Sequence, residues 1–134
     1  MAWNITLSTE ELALIMEAGL IYRYAGKFIQ AREVFEGVRS LRPQSELPHI
    51  ALGMVEFEQA HFKDAIRHYQ KAISMNPRSA YAYAQLGEAQ LFHQDKQSAR
   101  ASLATAIELD PRSEAANLAR ALLLLTEQVE FKHS

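Results

Sequence analysis

Small, apolar and large side chains return in register along the chain at an interval of 34 residues. With units beginning at Leu12, Glu46 and Ala80, position 8 is Gly19, Gly53 and Gly87, and position 20 is Ala31, Ala65 and Ala99. Position 24 is bulky (Phe35, Tyr69, Leu103), position 27 is Val38, Ala72 and Ala106, and position 32 is Pro43, Pro77 and Pro111. Two helices in tight antiparallel contact need small residues where their backbones come closest and one large side chain between them. A proline after the second helix stops it, through its missing N–H and fixed φ, and sets up the next. The pattern therefore predicts helices over about 9–24, 28–41, 46–59, 62–75, 80–93 and 96–109. Ser8 and Glu11 have the spacing of a capping box that opens the first helix, and Ser79 and Ser113 follow prolines as N-caps. A seventh helix is expected over about 113–130, with Asn117 and Arg120 making its outer face a solvating cap.

On these residues the chain resembles the tetratricopeptide repeat (TPR) family, whose pattern is W-x2-L-G-x2-Y, then A-x3-F, then P. Leu52-Gly53 and Leu86-Gly87 match, as do Gly19 with Tyr22 and the alanine and proline series. The Trp position instead holds Ile15, His49 and Tyr83, and the Tyr position of the later units holds Glu56 and Gln90. The resemblance implies an all-α fold of one domain. Three helical hairpins (12–45, 46–79 and 80–113) would stack in a right-handed superhelix, closed by a capping helix at 114–130. A single hairpin cannot bury its own apolar face, and stacking makes one continuous core.

The same resemblance implies that positions 2, 5, 9 and 12 of each unit line a concave groove. They are Ala13, Met16, Leu20 and Arg23; Leu47, Ile50, Met54 and Phe57; and Tyr81, Ala84, Glu88 and Leu91, with Tyr24 and Phe92 alongside. The candidate partner-binding residues are accordingly Met16, Leu20, Tyr24, Leu47, Ile50, Met54, Phe57, Tyr81, Leu91 and Phe92. Relatives that grip the acidic tail of heat-shock chaperones use a clamp of Lys, Asn and Arg. The corresponding places here hold Met16, Leu20, Ala51, Tyr81 and Gln85, so that clamp is missing. An apolar groove of this size needs an occupant. One reading is an apolar client segment. The other is a structural adaptor whose groove is filled by its own C-terminal helix or by an arm carrying Trp3.

Composition narrows the function classes. The net charge of −2 offers no electrostatic footprint for nucleic acid, and the absence of cysteine excludes disulfide and thiolate chemistry. No apolar run approaches the length of a membrane span, and the start of the chain lacks the basic region of a signal peptide, so a cytoplasmic location is expected. There is no phosphate loop, nucleophile elbow or H-E-x-x-H motif. Of five histidines, His61 and His68 lie seven apart, with no acid paired to both at ligand spacing. Neither a metal, a cofactor nor an enzymatic activity is expected. The stretches "YRYAGKFIQAREVFE" and "EQAHFKDAIRHYQKAI" are similar to hairpins of TPR chaperones of bacterial type III secretion systems. That resemblance implies a secreted or export-apparatus subunit as client and is compatible with a homodimer or heterodimer. The short segment before the first unit points, on the same resemblance, to chaperones of needle or early export subunits rather than of translocators.

Overall fold

The computed structural model describes residues 6–128. Seven helices follow one another: α1 (Thr9–Tyr24), α2 (Phe28–Leu41), α3 (Leu47–Glu58), α4 (Phe62–Met75), α5 (Ala80–Phe92), α6 (Lys96–Leu109) and α7 (Glu114–Gln128). No strand occurs among the described residues. The helices α1 and α2, α3 and α4, and α5 and α6 pack as successive hairpins, each against the next, and α7 closes the stack against α5 and α6.

Each hairpin is held by one glycine meeting one large side chain. A Cβ on Gly19 would lie 2.5 Å from the Phe35 ring, one on Gly87 would lie 2.5 Å from Leu103, and one on Gly53 would enter the Tyr69 ring. Phe35, Tyr69 and Leu103 are wholly buried, as are Ala31, Ala65 and Ala99. The glycine is there to admit the ring. Between hairpins the core continues: Ala51, Leu52 and Val55 of α3 meet Phe35 of α2, and Ala82, Leu86 and Ala89 of α5 meet Tyr69 of α4.

Local chemistry sets the helix starts. The Ser8 side chain accepts from Glu11 N–H while the Glu11 carboxylate accepts from Ser8 N–H. Ser79 and Ser113 accept from the N–H groups of Ala82 and Ala116, and Asp95 accepts from that of Ser98. The hairpin turns share a feature that composition conceals. Gly26, Ala60 and Gln94, spaced at the repeat interval, all have left-handed backbone, with φ of 74°, 63° and 64°. Only the first is the residue this conformation favours; an L side chain there costs about 1–2 kcal/mol. Ala60→Gly is therefore expected to raise stability by about 0.5–1 kcal/mol once glycine's extra unfolded-state entropy is set against the relieved strain. Chemical denaturation checks this, and an unchanged or lower midpoint would contradict the assignment of strain.

The terminal helix differs from the expected cap in one respect. Asn117 and Arg120 do face water, with Arg120 donating to the Asn117 side chain and to the Pro111 carbonyl. Yet Leu124 and Leu125 are also exposed, at 59% and 43%, so the outer face is not uniformly polar. The inner face (Ala115, Ala119, Leu122) packs on Ala80, Ala84 and Leu91 of α5 and Leu103 of α6.

Candidate functional site

The first helices of the hairpins, α1, α3 and α5, form the inner wall of the stack. Positions three or four apart on a helix share a face. On this wall they bring together Ala13, Met16 and Leu20 of α1, Leu47, Ile50, Ala51 and Met54 of α3, and Tyr81 of α5 around a depression of about 440 Å³. Glu17 is the charged group on its lining. Leu47 and Tyr81 stand half in solvent, at 52% and 43% exposure, while Met16, Leu20 and Met54 are partly buried against the cores behind them. The Tyr81 hydroxyl donates to Met54 Sδ at 3.3 Å, which closes the α3 and α5 walls at that point.

The other expected groove residues separate from this depression. Phe57 and Phe92 meet edge-to-face, with ring centroids 5.3 Å apart. Phe62 of α4 completes an aromatic trio, at 5.3 Å from Phe57 and 5.7 Å from Phe92. Phe62 lies on a second helix and so falls outside any first-helix rule; its place beside the hairpin turn is the only sequence signal for it. Tyr24 is 80% exposed at the end of α1, its ring under the Arg23 guanidinium at 4.8 Å. Leu91 is a correction. It is 2% exposed and packs in the core between α5, α6 and α7, because the terminal helix docks over that part of α5. Ile50 also has only 2% exposure: it forms the floor of the depression and packs mainly against α4 and α5.

The wall carries a small set of charges. Arg23 of α1 pairs with Glu58 of α3, while its buried Nε has no partner. Glu88 of α5 is partly buried, and removal from water pushes its carboxyl above the usual carboxylate range. Behind the wall, the wholly buried Tyr69 has a hydroxyl without a hydrogen-bond partner. Burial, then the charge of Glu88, pushes that phenol up, far from ionisation. Burial likewise raises Tyr81, against the opposing influence of Arg23.

Elsewhere, His49 and His68 are packing groups. Burial holds both His49 and His68 below the usual imidazole range, so both stay neutral near pH 7. His61 Nδ1 lies 2.8 Å from a Glu56 oxygen, and Asp64 comes within 4.8 Å of both, a grouping the sequence spacing did not reveal. Each of the two carboxylates already has a guanidinium, Arg32 on Glu56 at 2.6 Å and Arg67 on Asp64. With its charge so compensated, the cluster ties α2, α3 and the start of α4 together.

Among the described residues no helix is long and apolar enough to cross a membrane. A family model described as tetratricopeptide repeat matches residues 50–113. No curated protein sequence matches the chain. Among solved structures the fold is similar to PcrH from Pseudomonas aeruginosa, with TM-score 0.79 and 20% identity over 95% of this chain and 99% of that one. It is similar to the type III secretion chaperone SycD of Yersinia enterocolitica in complex with a peptide of the translocator YopD. There the TM-score is 0.71 and the identity 18%, over 88% of this chain and 96% of that one. It is also similar to the first TPR domain of Spaghetti (RPAP3) bound to an HSP90 peptide, with TM-score 0.73 and 20% identity over 93% and 100%. At these identities the likeness is one of fold: an all-helical TPR scaffold.

Proposed function

We propose that this tetratricopeptide-repeat chain is a chaperone-type receptor, and that it holds an apolar segment of a client protein between α1, α3 and α5. The observation that carries the reading is the depression itself, about 440 Å³ and lined almost wholly by Met, Leu, Ile, Ala and Tyr side chains. Methionines at 16 and 54 suit a surface that adapts to varied shapes. The described termini lie elsewhere: α7 packs on α5 and α6, and the Leu7 carbonyl accepts from Arg42 at 2.7 Å, at the end of α2. The Trp3 arm lies outside the described residues. In keeping with the similar chaperone SycD, which is complexed with a translocator peptide, the client is a secreted or export-apparatus subunit of a type III secretion system. The cytoplasm is where such a receptor would work.

A second reading, a structural adaptor with a filled groove, draws on one observation. The part of the inner wall around Ala84 and Leu91 is covered by α7. The two readings part in a melting experiment on the purified chain, titrated with the protein that co-purifies with it. A client bound to the folded state adds RT ln(1 + [L]/Kd), about 2.7 kcal/mol at a hundredfold excess over Kd. The midpoint should climb with client concentration, and the climb should disappear in Met54→Glu. A climb that persists in Met54→Glu would place the contact outside the groove and favour the adaptor.

A further inference from the structure

Resting on the groove reading above, we propose that the bound segment carries a lysine or arginine among its apolar residues, and that Glu88 on the α5 wall is the partner of that cation. Tyr81, Glu88 and Phe92 are seven and four residues apart, on one face of α5. Tyr81 lines the depression and Phe92 stacks on Phe57, so Glu88 stands between the two apolar surfaces a client would cover. It is partly buried, and among the described residues it has neither an ion-pair nor a hydrogen-bond partner. The only resolved influence on its carboxyl is burial; no neighbouring cation answers it. A carboxylate held in that way is costly unless something pairs with it.

A second unpartnered polar group lies in the core behind the same wall. The Tyr69 hydroxyl, on a residue with 0% exposure, has no partner. The groups that act on it electrostatically are Glu88, Tyr81, Arg23 and Glu58, which come from the three inner helices. The phenol end of Tyr69 therefore lies behind that wall, sealed from solvent.

The wider charge balance selects the same sign. The charges described on this wall are Glu17 at the depression, Glu88 on α5 and the Arg23–Glu58 pair. The wall is net negative, so it repels acidic segments and attracts basic ones. The long apolar stem of Lys or Arg also suits a surface that is otherwise hydrocarbon.

The test is selection of short random peptides displayed on phage, run in parallel on the full chain and on Glu88→Gln. The parent is expected to enrich apolar peptides with one Lys or Arg at constant spacing from the apolar anchors, and Glu88→Gln to lose the basic preference. Exchanging that Lys for norleucine should weaken binding to the parent about tenfold or more and leave binding to Glu88→Gln unchanged. The norleucine arm on the parent needs no variant, so it decides the matter even if Glu88→Gln folds poorly. Enrichment of neutral apolar peptides, or equal affinity for the Lys and norleucine forms, overturns the role of Glu88 and leaves the groove reading standing. No enrichment of apolar peptides at all overturns both.

Discussion

Tyr69→Ala is expected to remove about 3–5 kcal/mol of folding stability, the range for deleting a large aromatic side chain from a packed core. In a domain of this size the thermal midpoint should fall by roughly 10 °C or more. Tyr69 is wholly buried and is the piece on which the middle of the stack converges. Its ring fills the space left open by Gly53 of α3, and it packs in one cluster with Ala65 of its own helix and Ala82, Leu86 and Ala89 of α5. Truncation leaves a cavity bounded by three helices and lined in part by Gly53, Ala65, Ala82 and Ala89, which have no side chains long enough to fill it. Tyr69→Phe separates the ring from its hydroxyl. Because that hydroxyl has no partner, its removal should leave the stability equal to the parent's or higher. Urea unfolding of both variants gives the answer. A Tyr69→Ala loss below about 1 kcal/mol would mean the site collapses freely and the packing account is wrong.

Much of this packing was legible in the sequence because its constraints are local. Gly19, Gly53 and Gly87 each oppose the bulky residue sixteen positions on, so reading one repeat predicts the other two. The serine caps and helix bounds follow from the same short-range chemistry. What stayed hidden needed neighbours. The left-handed turns at Ala60 and Gln94 are imposed by the hairpin geometry on residues that do not advertise it. Leu91 occupies a groove position in the repeat, but α7 covers it, and no repeat rule knows which helix comes after the last unit. Phe62 joins Phe57 and Phe92 from the opposite helix of a hairpin. The isolation of Glu88 is likewise a tertiary fact, since only the packed wall shows that it is partly buried and that Arg23 is taken by Glu58. Position along the chain identified the candidate wall; which members of it remain accessible was decided by what packs on top.

That distinction sets the second large effect. Met54→Glu should abolish client binding, with a loss of at least about thirtyfold, while the isolated chain stays folded. Met54 lines the depression and is only partly buried, touching the α4–α5 core from its edge and accepting from Tyr81. In the free protein a glutamate there can turn its carboxylate into the water-filled depression, so the stability change should be about 1 kcal/mol, ordinary for a partly exposed site. Under a bound client the same carboxylate is desolvated against hydrocarbon. The penalty for a carboxylate buried without a partner is about 2 kcal/mol or more, which converts to the thirtyfold loss. Ile50→Glu is the contrasting variant: at 2% exposure Ile50 lies beneath the depression within the α4–α5 core, and a charge there should unfold the chain outright. Circular dichroism separates the two variants, and binding is then measured by calorimetry on those that fold. If Met54→Glu unfolds as Ile50→Glu does, the α3 wall is core rather than groove, and the receptor reading loses its central anchor.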